Sequence, residues 1–328
     1  MSILVTGGAG FIGSHVADEL IKNGEEVIIL DDLSGGFKDN VNDKAAFIQG
    51  SILDHVLIKH IFTKYKIEFV FHLAAYAAEG LSHFIRRYNY QNNLIGSINL
   101  INESVINNVK CFVFTSSIAV YGRNQLPMSE ELTPMPEDPY GIAKYAIEQD
   151  IKAAHEMFGL DYIIFRPHNV YGERQNIGDK YRNVIGIFMN QIMKGQEMSI
   201  FGDGSQTRAF SYIKDVAPII ARSISIKEAY CKVFNVGADK PYSVNELVEV
   251  VCKSMGTGKN VKYFLARNEV QHAYSKHKKI KEIFNYSPQW SLEKGIAEMS
   301  KWALKVGSRE STKFDNIEIE KNLPLAWK

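Results

Sequence analysis

The chain has 328 residues, 45% of them apolar, and a formal net charge of +1. That is enough apolar material for one large or two modest cores, and the neutral balance excludes a protein that holds nucleic acid or a membrane surface by charge. No apolar run reaches the roughly 18 residues of a membrane span, and the three cysteines, Cys111, Cys231 and Cys252, lack Cys-x-x-Cys spacing, which excludes a disulfide framework and suits a reducing compartment.

In chain order, "SILV" runs directly into "TGGAG", so no leader peptide is expected and a cytoplasmic location is. Continuous apolar runs at 3–6, 26–30, 46–49, 69–73, 111–115 and 162–166 predict strands buried on both faces. Amphipathic stretches near 11–23, 55–65, 92–108 and 139–158 predict helices between them. Strand-helix alternation implies an α/β fold, a doubly wound parallel sheet with helices on both sides. Beyond it the pattern is less regular. Helices are expected near 184–194, 215–229, 243–255 and 292–305, and short strands at 198–201, 209–214 and 233–236. These predict a smaller α/β domain over the carboxyl edge of the sheet. The segment 311–328 is polar until "NLPLAW", where Trp327 either docks or hangs loose. Nine histidines occur without His-x-x-x-His, and no carboxylates cluster at ligand spacing, so no metal site is expected.

"TGGAGFIG" (6–13) follows the first strand and opens the first helix. It satisfies Gly-x-Gly-x-x-Gly through Gly8, Gly10 and Gly13, and Gly-x-x-Gly-x-x-Gly through Gly7, Gly10 and Gly13. Wedged between strand and helix, such glycines allow a tight turn, and the helix amino terminus offers N–H donors to a pyrophosphate. Asp31 ends the second strand near the ~20-residue offset of a ribose-binding carboxylate. A carboxylate there accepts from a 2′-hydroxyl and repels a 2′-phosphate, and "LDDLSGG" holds no arginine to welcome one. NAD is therefore expected over NADP. Asp32 either shares this role or sits in water.

Tyr140 and Lys144, one helical turn apart, are by themselves as readily helix surface as chemistry. The glycine loop, Ser116-Ser117 after a buried strand, and Tyr140-x-x-x-Lys144 nevertheless follow in that order, with "HLAA" (72–75), "NN" (92–93), "TSSIAVYG" (115–122), "RPHNVYG" (166–172), "IFGDGSQTRAFSYIKD" (200–215) and "YSPQWSLEKGI" (286–296). Together these resemble the extended short-chain dehydrogenase/reductase family, the NAD-dependent sugar-nucleotide epimerases and dehydratases, over nearly the whole chain. The resemblance implies a Rossmann-like NAD-binding domain at 1–172 with a return segment near 203–235, an interleaved sugar-nucleotide domain at 173–310, and a tail at 311–328. It implies cofactor contacts at Phe11, Ile12, Leu73, Ala74, Ala75, Asn93, Thr115 and Pro167, and a catalytic triad of Ser117, Tyr140 and Lys144. It assigns substrate contacts to Asn169, Asn183, Val184, Phe201 (a candidate to stack on the base), Arg208, Arg267 and Tyr274. The family usually has Asp-Ile after the third strand, the Asp accepting from adenine; here the pair is Ser51-Ile52, with a hydroxyl in that place. Asp54 reads more simply as a helix N-cap.

A hydride leaves carbon best when the attached hydroxyl loses its proton in the same step. A phenol titrates near pH 10; a lysine ammonium one turn away favours its phenolate and brings the base toward the working range. Ser117 holds the sugar hydroxyl in line. In the family, 4,6-dehydratases carry Asp-Glu or Glu after the active-site Ser/Thr, decarboxylases carry a Glu in this stretch, and 3,5-epimerases a Cys. Here Ile118-Ala119 follow Ser117, and Cys111 reads as strand core. The remaining implied chemistry oxidises C4, rotates the 4-keto sugar and returns the hydride to its other face. Asn169 resembles the UDP-galactose 4-epimerase branch, whereas uronate 4-epimerases carry an arginine aligning with Asn176, a role Arg174 could fill. Tyr274 falls where a bulky side chain limits N-acetylated sugars. The expected reaction is thus 4-epimerisation of UDP-glucose/UDP-galactose; the alternatives are a UDP-glucuronate 4-epimerase, another enzyme of the same fold, or an NAD-binding protein without activity. "AAEGLSHFIRRYNY" (77–90) is unusual for the family; Glu79, His83, Arg86 and Arg87 are candidates to recognise the sugar there, Glu79 first. Helices near 92–108 and 139–158 carry extra apolar stripes, and the family pairs them in an intersubunit four-helix bundle, implying a homodimer.

Overall fold

Alternate residues of the first strand feed opposite layers: Ile3 and Val5 enter one buried cluster and Leu4 the other. This is why the first-half strands read as unbroken apolar runs. The computed structural model describes residues 1–267, 269–311 and 314–327; of the predicted tail, 312, 313 and 328 lie outside the described residues.

The first half alternates β1 (Ser2–Thr6), α1 (Phe11–Lys22), β2 (Glu26–Asp31), β3 (Ala46–Gln49), α2 (His55–Tyr65), β4 (Phe69–His72), short α3 (Glu79–Ser82) and α4 (Arg86–Tyr90), α5 (Gly96–Ile106), β5 (Cys111–Thr115), α6 (Pro139–Phe158) and β6 (Tyr162–Pro167). Asp54 caps α2, accepting from the Leu57 N–H at 2.9 Å, and Cys111 is fully buried in β5. A π turn over Gln91–Ile95 joins α4 to α5.

Then follow β7 (Val170–Tyr171), α7 (Val184–Met193), β8 (Met198–Phe201), β9 (Thr207–Ala209), β10 (Ser211–Tyr212), α8 (Ile213–Arg222), β11 (Lys232–Val236), β12 (Pro241–Ser243), α9 (Val244–Met255), β13 (Val261–Phe264), β14 (His272–Ala273), α10 (Lys278–Phe284) and α11 (Leu292–Val306). The strand expected over 209–214 is interrupted at Phe210, and helix begins at Ile213. The helix expected over 215–229 ends at Arg222 and decays into two 3-10 turns.

The central sheet runs β11-β6-β5-β4-β1-β2-β3, and every neighbouring pair is parallel. The chain leaves β1 toward β2 and β3, then returns to β4 on the other side. A doubly wound sheet opens its ligand crevice at such a switch point, above the carboxyl ends of β1 and β4. Over that edge lie β8 paired with β13 and the small sheet β12-β9-β14. A separate apolar cluster joins Ala78, Leu81 and Ile85 to Tyr181, Leu323 and Trp327: Trp327 docks, and it docks on the 77–90 segment.

Candidate active site

The turn out of β1 is glycine because nothing larger fits. Gly7 has φ +72°, and a Cβ on Gly13 would lie 2.0 Å from the Gly7 carbonyl oxygen. The loop thus lies flat against the first turn of α1, whose N-cap Gly10 has no side-chain capping bond, leaving the helix amino terminus open to the cleft. Asp31 closes the loop from the side. Its Oδ2 accepts from the Ala9 N–H at 3.0 Å and its Oδ1 from the Leu33 N–H at 2.8 Å. Burial nevertheless pushes its carboxyl up. Asp32 accepts from the Ser34 N–H at 2.9 Å.

Gly7, Gly10, Phe11, Ile12, Gly13, Asp31 and Asp32 line one cleft with Ile52, Leu73, Ala74, Ala75, Thr115 and Pro167. Two expected cofactor residues do not reach it. Ser51 Oγ accepts from the Leu53 N–H at 3.2 Å, inside its own turn. Asn93 is 1% exposed; its Oδ1 accepts from the Tyr76 N–H at 2.9 Å and its Nδ2 donates to the Tyr76 carbonyl at 3.1 Å. The π turn inserts a residue here, so Asn92 lines the cleft while Asn93 clamps the loop after β4.

The catalytic candidates converge from two elements. Ser117, beyond the end of β5, accepts the Ala119 N–H on Oγ at 3.1 Å, which fixes the oxygen and leaves its own proton to donate. Asp138 caps α6, accepting from the Gly141 N–H at 2.9 Å, with Pro139 in the first turn. Tyr140 and Lys144 then face the cleft beside Ser117. Lys144 Nζ donates to the Thr115 carbonyl at 2.8 Å and lies 6.0 Å from the Tyr140 ring centre. Burial pushes Lys144 down to about 7, with Glu148 opposing. Burial pushes the Tyr140 phenol up, and the Ser117 hydroxyl opposes it. Beneath them Glu148 accepts from Ser116 Oγ at 2.5 Å and from Arg166 Nε and Nη2 at 2.9 and 2.5 Å. Thr115 Oγ1, on the cleft wall, is buried with no partner among the described residues. An open helix terminus, a terminal carboxylate on β2 and an orphaned hydroxyl are what a dinucleotide needs: the residues fit NAD.

A second cavity continues the first, sharing Ala77, Glu79, Asn169 and Arg182. Val184, Phe201, Arg208 and Arg267 line it, while Asn183 lines the first. Arg208 Nη2 donates to the Val270 carbonyl at 2.6 Å. Arg267 pairs with Glu269 at 3.2 Å, and its Nε is buried without a partner among the described residues. Glu79 is pushed up to about 7 by burial, then by Asp138, with Arg208 opposing. Tyr274 lines neither cavity; its carbonyl accepts from the Met128 N–H at 3.0 Å, and a bridge between Met128 and Ser275 draws the segment aside. Arg174 pairs with Asp18 on α1 at 2.7 Å, also outside both cavities.

Sequence reasoning missed Arg182, which lines both cavities, pairs with Asp179 at 2.7 Å and stacks 4.6 Å over Tyr76. An isolated arginine before α7 carries no spacing signal. It also missed a trio of metal-ligating types, His155, Asp161 and Cys231. The thiol donates to Asp161 at 3.3 Å and His155 Nδ1 meets the Leu160 carbonyl at 3.2 Å, so these polar atoms already have partners.

Residues 3–237 match the profile of the NAD-dependent epimerase/dehydratase family, and the chain belongs to that family. Among solved structures it is similar to UDP-glucose 4-epimerase from Thermotoga maritima with UDP-glucose, at 37% identity and a TM-score of 0.89, covering 93% of this chain and 99% of that one. UDP-N-acetylglucosamine 4-epimerase from Methanobrevibacter ruminantium, in complex with UDP-N-acetylmuramic acid, matches at 33% identity and a TM-score of 0.86, over 93% of this chain and 98% of that one. A curated UDP-glucose 4-epimerase of Halalkalibacterium halodurans is 34% identical over 322 residues, 92% of this chain and 95% of its own. NAD is therefore the cofactor of the cleft, and the chain is an enzyme.

Proposed function

We propose that the chain inverts C4 of a UDP-linked hexose, interconverting UDP-glucose and UDP-galactose through a 4-keto sugar. The observation carrying this is that Ser117, Tyr140 and Lys144 meet on the wall of the first cavity, which the second continues, while the two residues after Ser117 are Ile118 and Ala119, neither able to transfer a proton. NAD supplies the acceptor that takes hydride from C4 and gives it back. Tyr140 takes the C4 hydroxyl proton and returns it, Ser117 holds that oxygen in line, and the Lys144 ammonium favours the phenolate. Arg208 and Arg267 hold the diphosphate, and Val184 and Phe201 flank the base.

Arg182 favours a second reading, a uronate 4-epimerase, because it offers a cation where the cavities meet; an ionised Glu79 beside it would repel the sugar carboxylate. Proton NMR of the purified chain with UDP-glucose, UDP-N-acetylglucosamine and UDP-glucuronate separates these. Inverted C4 signals with UDP-glucose are expected. Inversion of UDP-glucuronate alone selects the second reading, and a 4-keto-6-deoxy product overturns both.

The same reading divides the work between a cofactor domain at 1–172 with a return at 203–235, a substrate domain at 173–310 and the tail. It places the enzyme in the cytoplasm, where its thiols, all free, are kept reduced. It pairs two copies through α5, the π turn before it, and α6, which expose Ile106, Ile95 and Ile142 at 68%, 47% and 40%.

A further inference from the structure

Residues 314–327 form a strap across the segment that carries Glu79. The Glu318 N–H donates to the Phe84 carbonyl at 2.8 Å, and the Glu318 carboxylate accepts the N–H groups of Arg87 and Tyr88 at 2.8 and 2.9 Å. The strap ends on Trp327, 4% exposed, packed edge-to-face on Tyr181 at 5.4 Å. The indole forms one wall around Arg267. The guanidinium lies 4.1 Å over the Phe201 ring and 5.2 Å from the Trp327 ring. A Cβ on Gly80 would sit 3.1 Å from Trp327 Cη2 and 3.8 Å from Arg267 Nη1, so strap, arginine and the backbone beside Glu79 meet at one point.

A free arginine side chain has rotamer entropy to lose on binding an anion. Flanked by two rings, Arg267 has already lost much of it. Glu269 occupies one end of the guanidinium at 3.2 Å, while Nε is buried with no partner among the described residues on the wall of the second cavity. A buried donor without an acceptor is costly unless a ligand supplies one.

We propose that Trp327 is a positioning residue of the substrate site: it holds Arg267 against Phe201 in the plane in which the guanidinium meets the phosphates of a nucleoside diphosphate. This rests on the nucleotide-sugar reading above. Trp327 acts through Arg267, so its effect follows the phosphates and not the base.

The test uses the full chain with NAD bound and calorimetric titration of UDP and of uridine. Trp327→Leu keeps an apolar anchor and removes the aromatic face. UDP binding is expected to weaken about tenfold, the scale of one desolvated cation–π contact, with uridine binding unchanged. Trp327→Phe is expected to restore UDP affinity to within about threefold. In an Arg267→Ala background, Trp327→Leu is expected to change nothing further. Equal losses for UDP and uridine, or a loss undiminished without Arg267, would show a role in base stacking or stability and overturn the proposal, as would unchanged UDP affinity. If the unaltered chain binds no UDP, the nucleotide-sugar reading falls instead.

Discussion

Glu79 faces both cavities with a carboxyl pushed up to about 7, and the sign of that displacement is testable. A carboxyl held above its ordinary value of 4.5 stabilises the fold fully below that pH, and the contribution is lost as pH rises through about 7. Glu79→Gln removes the titration. Its melting temperature relative to the unaltered chain, without substrate, should rise from pH 4.5 to pH 8; a gap constant with pH would show that Glu79 keeps an ordinary pKa. Glu79 was singled out from the 77–90 stretch, and the structure places it on the wall of both cavities. Tyr140, Lys144 and Ser117 were legible only through the ordered motifs that resemble the family, since one helical turn between a tyrosine and a lysine is by itself as readily helix surface; the structure brings the three to one cleft. Arg182 and Trp327 were not, since each reaches the site through folding of a segment with no motif. Asn93 was expected in the cleft, but the π turn puts Asn92 there instead; Ser51 is missing from the cleft lining, though its hydroxyl, accepting only the Leu53 N–H, keeps its own proton to donate.

At the scale of elements, α6 joins the reacting groups to the sheet. Glu148, one turn after Lys144, ties α6 to β6 through Arg166, whose Nη1 donates to the Tyr121 hydroxyl at 2.7 Å. That hydroxyl donates to Asn235 on β11 at 2.9 Å. Glu148 and Arg166 are 0% and 3% exposed, so removing one strands a buried charge. Glu148→Ala should cost about 3–5 kcal/mol in urea unfolding, and Glu148→Leu with Arg166→Met should recover most of it. A loss below about 1 kcal/mol would mean that water or another group pairs Arg166. The inner strands β1, β2, β4, β5 and β6 were read correctly because each carries a buried apolar run, whereas the edge strand β3 has no buried residue, against the expectation of burial on both faces. The edge pieces β12 and β14 have three and two residues, too short to carry a period.

At the scale of the molecule, the helix that turns Tyr140 into the cleft exposes Ile142 on another side. Charge at Ile142 and Ile106 together should leave the cleft intact and drop the mass from two chains to one by light scattering. An unchanged mass would place the interface elsewhere or show a single chain from the outset. The parallel order of the sheet followed from alternating pattern alone. The partnership of the 77–90 segment with residues 314–327 did not, because packing across more than 200 residues of sequence leaves no periodic trace in either.

Asp31 has a consequence for how such an enzyme can change. The same carboxylate accepts the Ala9 N–H of the glycine loop and stands on the wall where a ribose would lie. In a lineage drifting toward a phosphorylated cofactor, Asp31→Ala would remove the repelling charge and the acceptor of the Ala9 N–H together, whereas Asp31→Asn would remove the charge and keep one acceptor oxygen for the loop. The two jobs of the carboxylate are separable through an amide, and that is the route a change of preference would take.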